Sequence, residues 1–283
     1  MANDMVRMTL GEHIEELRKR VLRALIGVVV GMVICFFFGE HLFKVMFWPL
    51  EIATSGSPPD LYYQSLPESF GTYFRVCLIA GAIFSSPYGL YQMWQFIGAG
   101  LYDRERVAVR KYLLPSFVLF ILGVVFFLVV VAPLIIGFFL HFAQSTYPSP
   151  PNWGGEWLGP FLGRGDLATA TTQAAATQPA SARPYVQPLL TVGKYVSFVA
   201  LLSFVFGLAF QTPLVVYFLG RTGIVPVKTM RQGRRYVAVA IMGISAVVTP
   251  SDVGSMVALA VPMYLLYEIG LLFAGRAERP AAN

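Results

Sequence analysis

Residues 112–140 run without one charged side chain. A span of the ~30 Å hydrocarbon core of a bilayer takes about 20 apolar residues. No water is available in lipid to satisfy exposed peptide groups, so a chain there must be helical or closed into a barrel. The run is far longer than a barrel strand of about 9–11 residues, so it reads as helix. Five more apolar segments fall at roughly 22–38, 70–97, 191–219, 236–249 and 253–273. Only 13% of residues are charged and 56% are hydrophobic, against about 25% charged in soluble domains. The expected class is an all-α polytopic membrane protein with six transmembrane helices.

The segments at 70–97, 112–140 and 191–219 exceed the length of a straight span and should tilt or kink, with Pro87, Pro115, Pro133 and Pro213 as kink sites. The fifth segment is short: its 14 residues rise about 21 Å. Either the bilayer thins there, or the last two helices, both short, form a shallow hairpin turning at Thr249-Pro250-Ser251-Asp252. Sixteen of the 21 lysines and arginines fall before or at the very start of the first segment (Arg23), between the second and third, between the fourth and fifth, or in the tail. The positive-inside rule then puts both termini in the cytoplasm, and the parity requires both short segments to cross. The whole chain, 1–283, reads as one membrane domain. Residues 1–21 form a cytoplasmic amphipathic helix. Residues 39–69 form an outer loop containing Trp48-Pro49, with Leu61-Tyr62-Tyr63 ordered against the bundle. Residues 141–190 form a long outer loop, partly disordered by its low-complexity second half.

The formal charge of +6 sits at segment ends rather than in a basic stripe, which excludes nucleic acid as a partner. Cys35 and Cys77 lie inside apolar segments, not in a disulfide framework. The charged, amphipathic start is no cleavable signal peptide, so the first span is retained. The halves show no repeat of the kind secondary transporters carry. A solute transporter would want several ionisable groups within the spans, and only Arg75, Lys194 and Glu268 lie near span ends. An intramembrane enzyme is the other rival, but no H-E-x-x-H or G-x-S-x-G motif is present. His13, His41 and His141 are too dispersed to share a metal. No catalytic residue, cofactor or metal is assigned.

Four constellations remain. In His13-Ile14-Glu15-Glu16-Leu17-Arg18-Lys19-Arg20, Thr9 and Glu12 fit a capping box. Ile14, Leu17, Val21 and Leu25 share a helical face, which alone reads as an interfacial helix. Pro87–Arg106 carries boundary aromatics Tyr91, Trp94 and Phe96, a Gly-Ala-Gly turn, then Tyr102 and Glu105 among arginines. Glu105 is either a solvated loop acid paired with its neighbours or a receptor for a cationic ligand. Gln211 lies mid-span beside Pro213 and must find a hydrogen-bond partner. Asp252 suits the N-cap of the last helix.

These stretches resemble the TatC family, the multispanning core of the twin-arginine protein translocase. The likeness rests on H-x-x-ELR-x-R at His13–Arg20, on YQ-x-W-x-F at Tyr91–Phe96 and on LY-x-x-ER at Leu101–Arg106. It continues through FG-x-x-F at Phe206–Phe210, RRY at Arg234–Tyr236, TP-x-D at Thr249–Asp252 and PM-x-x-LYE at Pro262–Glu268. The resemblance covers roughly 9–275. It implies a non-enzymatic subunit of the bacterial inner membrane that recognises twin-arginine signal peptides at its cytoplasmic face. Partners would be TatA- and TatB-type single-span subunits, further copies of the chain and membrane lipid, with the proton-motive force driving export of folded proteins. Signal-peptide contacts would fall to Glu16, Arg18, Phe96, Tyr102 and Glu105, and structural or partner contacts to Pro49, Gln211, Asp252 and Glu268. The family usually has glutamate where this chain has Gln211, which keeps the polarity and drops the titratable charge. The 141–190 loop reads as an insertion.

Overall fold

The computed structural model describes residues 10–54, 61–63, 65–99, 103–146, 190–249 and 253–277. The capping-box residue Thr9, together with Tyr102, Asp252 and the insertion at 147–189, lies outside them. Every expected apolar segment is helical. Helix α1 (Leu10–Phe37) leads into α2 (Gly39–Ala53). A bent pair follows, α3 (Leu66–Phe84) and α4 (Ser86–Ala99). Helix α5 (Asp103–Phe126) passes through a π turn at Phe127–Val131 into α6 (Ala132–Thr146). Then come α7 (Val192–Ala209), α8 (Thr212–Thr222), α9 (Val227–Gln232), α10 (Arg234–Val248) and α11 (Val253–Ala277). The two extended pieces are β1 (Leu61–Tyr62) and β2 (Leu190–Thr191), which pair in parallel and tie the two outer segments together.

Three of the four expected kink prolines sit at a break. The α3–α4 pair bends by 54° at Ser85, two residues before Pro87. The π turn ends two residues before Pro133. The α7–α8 junction at Phe210–Gln211 precedes Pro213. In each case the ring removes a backbone donor and crowds the preceding turn. Pro115 stays inside α5 without interrupting it.

Four stretches are long and apolar enough to cross a membrane, and α3–α4 makes a fifth if the bent pair is one span. Of the last two helices, both expected short, only α10 is: it has 15 residues, less than a full span, whereas α11 has 25 and continues past the expected end at 273. Helix length among the described residues therefore carries four or five spans, and the sixth rests on α10.

The expected outer loop at 39–69 is largely helix. Met46, Pro49 and Leu50 are buried in the main core, with Leu42, Phe43 and Phe47 packed beside them. Their i, i+3, i+4 spacing is an amphipathic pattern that Trp48-Pro49 obscures. The Tyr195 hydroxyl donates to the Met46 carbonyl at 2.9 Å in the turn before Pro49, pinning α2 to α7. Leu61 of β1 also packs on this core, as expected for the Leu61-Tyr62-Tyr63 run.

Close helix approach is bought with glycine. A Cβ on Gly31 would lie 2.5 Å from the Gly81 carbonyl oxygen, so α1 and α3 touch backbone to backbone. Gly123 meets the Phe206 carbonyl and Gly207 meets the Phe120 ring, which lets α5 and α7 interlock. Small residues at such crossings are how membrane helices gain van der Waals contact, since lipid supplies no hydrophobic drive between helices.

Candidate functional site

Helix α1 runs antiparallel to α3–α4: Gly31 faces Gly81, and Gly27 faces Tyr88 farther along. Continuing in this sense, the first turns of α1 and the last turns of α4 lie at one end of the bundle. That end holds Glu16 and Phe96.

Glu16 and Arg20 are neighbours at i, i+4. Arg20 Nε donates to Glu16 Oε1 at 3.0 Å, and Arg20 Nη2 pairs with the same oxygen. Their side chains are only 23% and 14% exposed. Glu16 Oε2 is buried with no hydrogen-bond partner among the described residues. The apolar stripe of the same helix points the other way, for Ile14, Leu17, Val21 and Leu25 are all exposed. The helix thus turns its ion pair toward the protein and its hydrophobic face outward, the reverse of a helix packing on a soluble core. A buried carboxylate oxygen without a donor is costly, so this half of Glu16 is suited to receiving one. Arg18 lies two residues on, about 200° round the helix, and is exposed. Glu15 pairs with Lys19 at 3.6 Å in full view of solvent.

Phe96 lies in the last turn of α4. The boundary aromatics divide. Tyr91 is exposed, its hydroxyl accepting from Gln95 Nε2 at 2.8 Å. Trp94, expected at the membrane–water boundary, is instead core. It is 1% exposed, stacks on Tyr112 at 5.6 Å and meets the edge of Phe218 at 5.3 Å. This cluster fastens α4 to α5 and α8 behind Phe96 and was missed in the sequence. The apolar i, i+4 spacing of Leu90 and Trp94 is the sequence pattern that would have pointed to it.

Glu105 was expected in the loop between the second and third segments, as a solvated acid or as a receptor for a cationic ligand; α5 begins at Asp103, which places it in the first turn of a helix. The connection between α4 and α5 shrinks to residues 100–102.

Gln211 has its partner. Ser116 Oγ donates to Gln211 Oε1 at 2.6 Å, and Gln211 Nε2 donates to the Ser116 carbonyl at 2.8 Å. Both residues are buried. The amide therefore closes the α7–α8 break onto α5 with both of its polar atoms engaged. Glu268 lies across the α10–α11 pair, accepting from Arg234 Nη2 at 2.8 Å and from the Tyr264 hydroxyl at 3.0 Å. Among the described residues no three His, Cys, Asp or Glu side chains gather as metal ligands would.

The fold and this end of the bundle define a multispanning helical membrane protein that presents an inward-turned carboxylate beside its polar boundary. The family profile of the Sec-independent protein translocase protein TatC matches residues 12–262, and the chain belongs to that family. The Sec-independent protein translocase protein TatC of Aquifex aeolicus is 33% identical over 96% of this chain and 97% of its own length. Its counterpart in Desulforapulum autotrophicum is 30% identical over 97% of this chain and 87% of its own. A crystal structure of the twin arginine translocase receptor TatC superposes with a TM-score of 0.70 at 32% identity, covering 95% of this chain and all of the other. The likeness spans the full bundle, and the chain is a multi-pass protein of the inner membrane.

Proposed function

We propose that this chain is the signal-peptide receptor of a twin-arginine translocase. It takes up twin-arginine signal peptides at the cytoplasmic end of the bundle and, with TatA- and TatB-type single-span subunits, exports folded proteins at the expense of the proton-motive force. The observation that carries the reading is Glu16: one oxygen is held by Arg20, and the other is buried without a donor among the described residues. A guanidinium is the donor whose planar fork suits such an oxygen. Two consecutive arginines call for two carboxylates, and Glu105, in the first turn of α5, is the second. Phe96 and Tyr102 offer ring faces to the same cations. Arg18, exposed away from Glu16, serves the anionic lipid boundary or the flank of the peptide. Six spans, with the 15-residue α10 crossing a thinned region beside the full-length α11, keep both termini in the cytoplasm. Pro49, Gln211 and Glu268 hold the bundle in the shape that partners meet.

Binding of a fluorescent twin-arginine signal peptide to the purified protein in nanodiscs tests the site. A charge-assisted hydrogen bond contributes roughly 1.5–3 kcal/mol, so Glu16→Gln should weaken binding by about tenfold or more, while Arg18→Gln should change it far less. Unchanged affinity in Glu16→Gln would overturn the assignment of Glu16.

A further inference from the structure

We propose that the cleft between α1 and the α3–α4 bend holds one anionic diacyl phospholipid, with its phosphate on Arg23 and one acyl chain laid along Val30 and Ile34. The cleft follows from two features already described. Gly31 and Gly81 lock α1 to α3 at backbone distance, and the 54° bend at Ser85 then swings α4 off the line of α3. A straight helix cannot follow a bent one, so a wedge of about 400 Å³ opens between them, lined by Arg23, Gly27, Val30, Ile34, Phe84 and Tyr88 among others. The Tyr88 ring fills part of it against Gly27. Ser85, at the bend, has its hydroxyl turned back to the Ala82 carbonyl at 3.3 Å. The walls are otherwise apolar apart from Arg23.

Charge and length select the occupant. Lys19 pairs with Glu15 and Arg20 with Glu16, but Arg23 has no ion pair among the described residues. Its neighbours one turn away on its own helix are Lys19, Arg20, Ile26 and Gly27, none of them acidic, and Glu16, two turns back on the same face, is held by Arg20. A guanidinium at the mouth of an apolar slot matches a phosphate joined to a hydrocarbon chain, and it repels a cationic peptide. From Arg23 to Ile34 the helix rises about 16 Å, close to the roughly 15 Å of one leaflet's hydrocarbon. The positive-inside distribution places Arg23 at the cytoplasmic leaflet, where anionic headgroups attract juxtamembrane cations.

The test is native mass spectrometry of the full chain in detergent, titrated with phosphatidylglycerol or with phosphatidylcholine of identical acyl chains. One phosphatidylglycerol should be retained about tenfold better than phosphatidylcholine, whose phosphate is already balanced by its own choline cation, the difference being on the scale of one charge-assisted contact. Arg23→Gln should bring retention down to the phosphatidylcholine level, and Arg23→Lys should keep most of the preference. Val30→Trp fills the slot, leaves every charge in place and should also abolish retention. It carries the test alone if Arg23→Gln fails to insert. Equal retention of the two lipids, or full retention in Val30→Trp, would overturn the proposal. Capture of a twin-arginine signal peptide by a crosslinker at position 30 would likewise give the cleft to the peptide and contradict it. None of these readouts uses signal-peptide affinity at Glu16, so this proposal and the receptor reading fail separately.

Discussion

Helix α1 and the α7–α8 pair have almost the same hydropathy and opposite surroundings. Only 11% of the apolar window of α1 is buried within the chain, against 56% for Val192–Thr222. Lipid tails are as apolar as a protein core, so a transfer scale assigns both helices to the membrane and cannot say which neighbour each one has. The structure shows that they do different work. In α7 the residues are fixed by packing: Val196, Val199, Leu202 and Phe206 are all fully enclosed. Helix α1 is held along one side, by the Gly31–Gly81 crossing, by Tyr88 against Gly27 and by the Tyr73 hydroxyl on the Phe36 carbonyl, and the rest of its surface faces outward. On the reading proposed above, its half-buried carboxylate at one end and its apolar cleft below are where α1 receives ligands. The buried side chains of α7–α8 hold the bundle.

The strongest way to break this contrast is Glu105→Ala, expected to abolish export of twin-arginine cargo while the protein stays at its normal level in the membrane. Normal export in that variant would remove the need for a second carboxylate. Next in size is Gly31→Leu. Its side chain would drive into the Gly81 backbone, and overpacking of this kind costs about 1–3 kcal/mol or more. Thermal unfolding in detergent should show α1 loosened with the α5–α7–α8 core intact, and an unchanged midpoint would mean that the crossing tolerates bulk. A smaller effect is expected in the core. Gln211→Leu strands Ser116, and interhelical hydrogen bonds in membranes contribute about 0.6–1.7 kcal/mol. Ser116→Ala added to Gln211→Leu should cost little more, because the pair acts as a unit. Full additivity of the two would show that they do not. Smallest of all is deletion of residues 165–183, which should leave membrane level and export unchanged if the insertion stands apart from both regions. Loss of the protein from the membrane would make that segment structural.

How far the sequence could be read follows the same division. Helical class, segment positions and three of the four kinks were legible, because lipid leaves the backbone few choices and proline breaks are local. Gln211 announced its need for a partner, but Ser116 lies 95 residues away, and no local pattern names it. Helix α2 was hidden because its apolar stripe is too short for a span and carries Pro49. Trp94 was misplaced because an aromatic residue at a helix end suits both the interface and a packed corner, and only the arrival of Tyr112 and Phe218 decides which. The Glu16-x-x-x-Arg20 spacing was visible, but that this pair faces inward while Ile14 and Leu17 face outward depends on where α4 lies. The Arg23 cleft exists only because α3 bends after its glycine crossing with α1, which is a property of two helices together.

The central claim is that the edge helix and the end of α4 together receive a twin-arginine signal. Site-specific crosslinking in membranes tests it most directly, with photoreactive probes at Glu16 and Phe96 and a signal peptide carrying either Arg-Arg or Lys-Lys. Lysine keeps the charge and loses the bidentate fork. The account predicts adducts at both positions with the twin-arginine peptide and their loss with the twin-lysine peptide. Equal adducts from both peptides would contradict it.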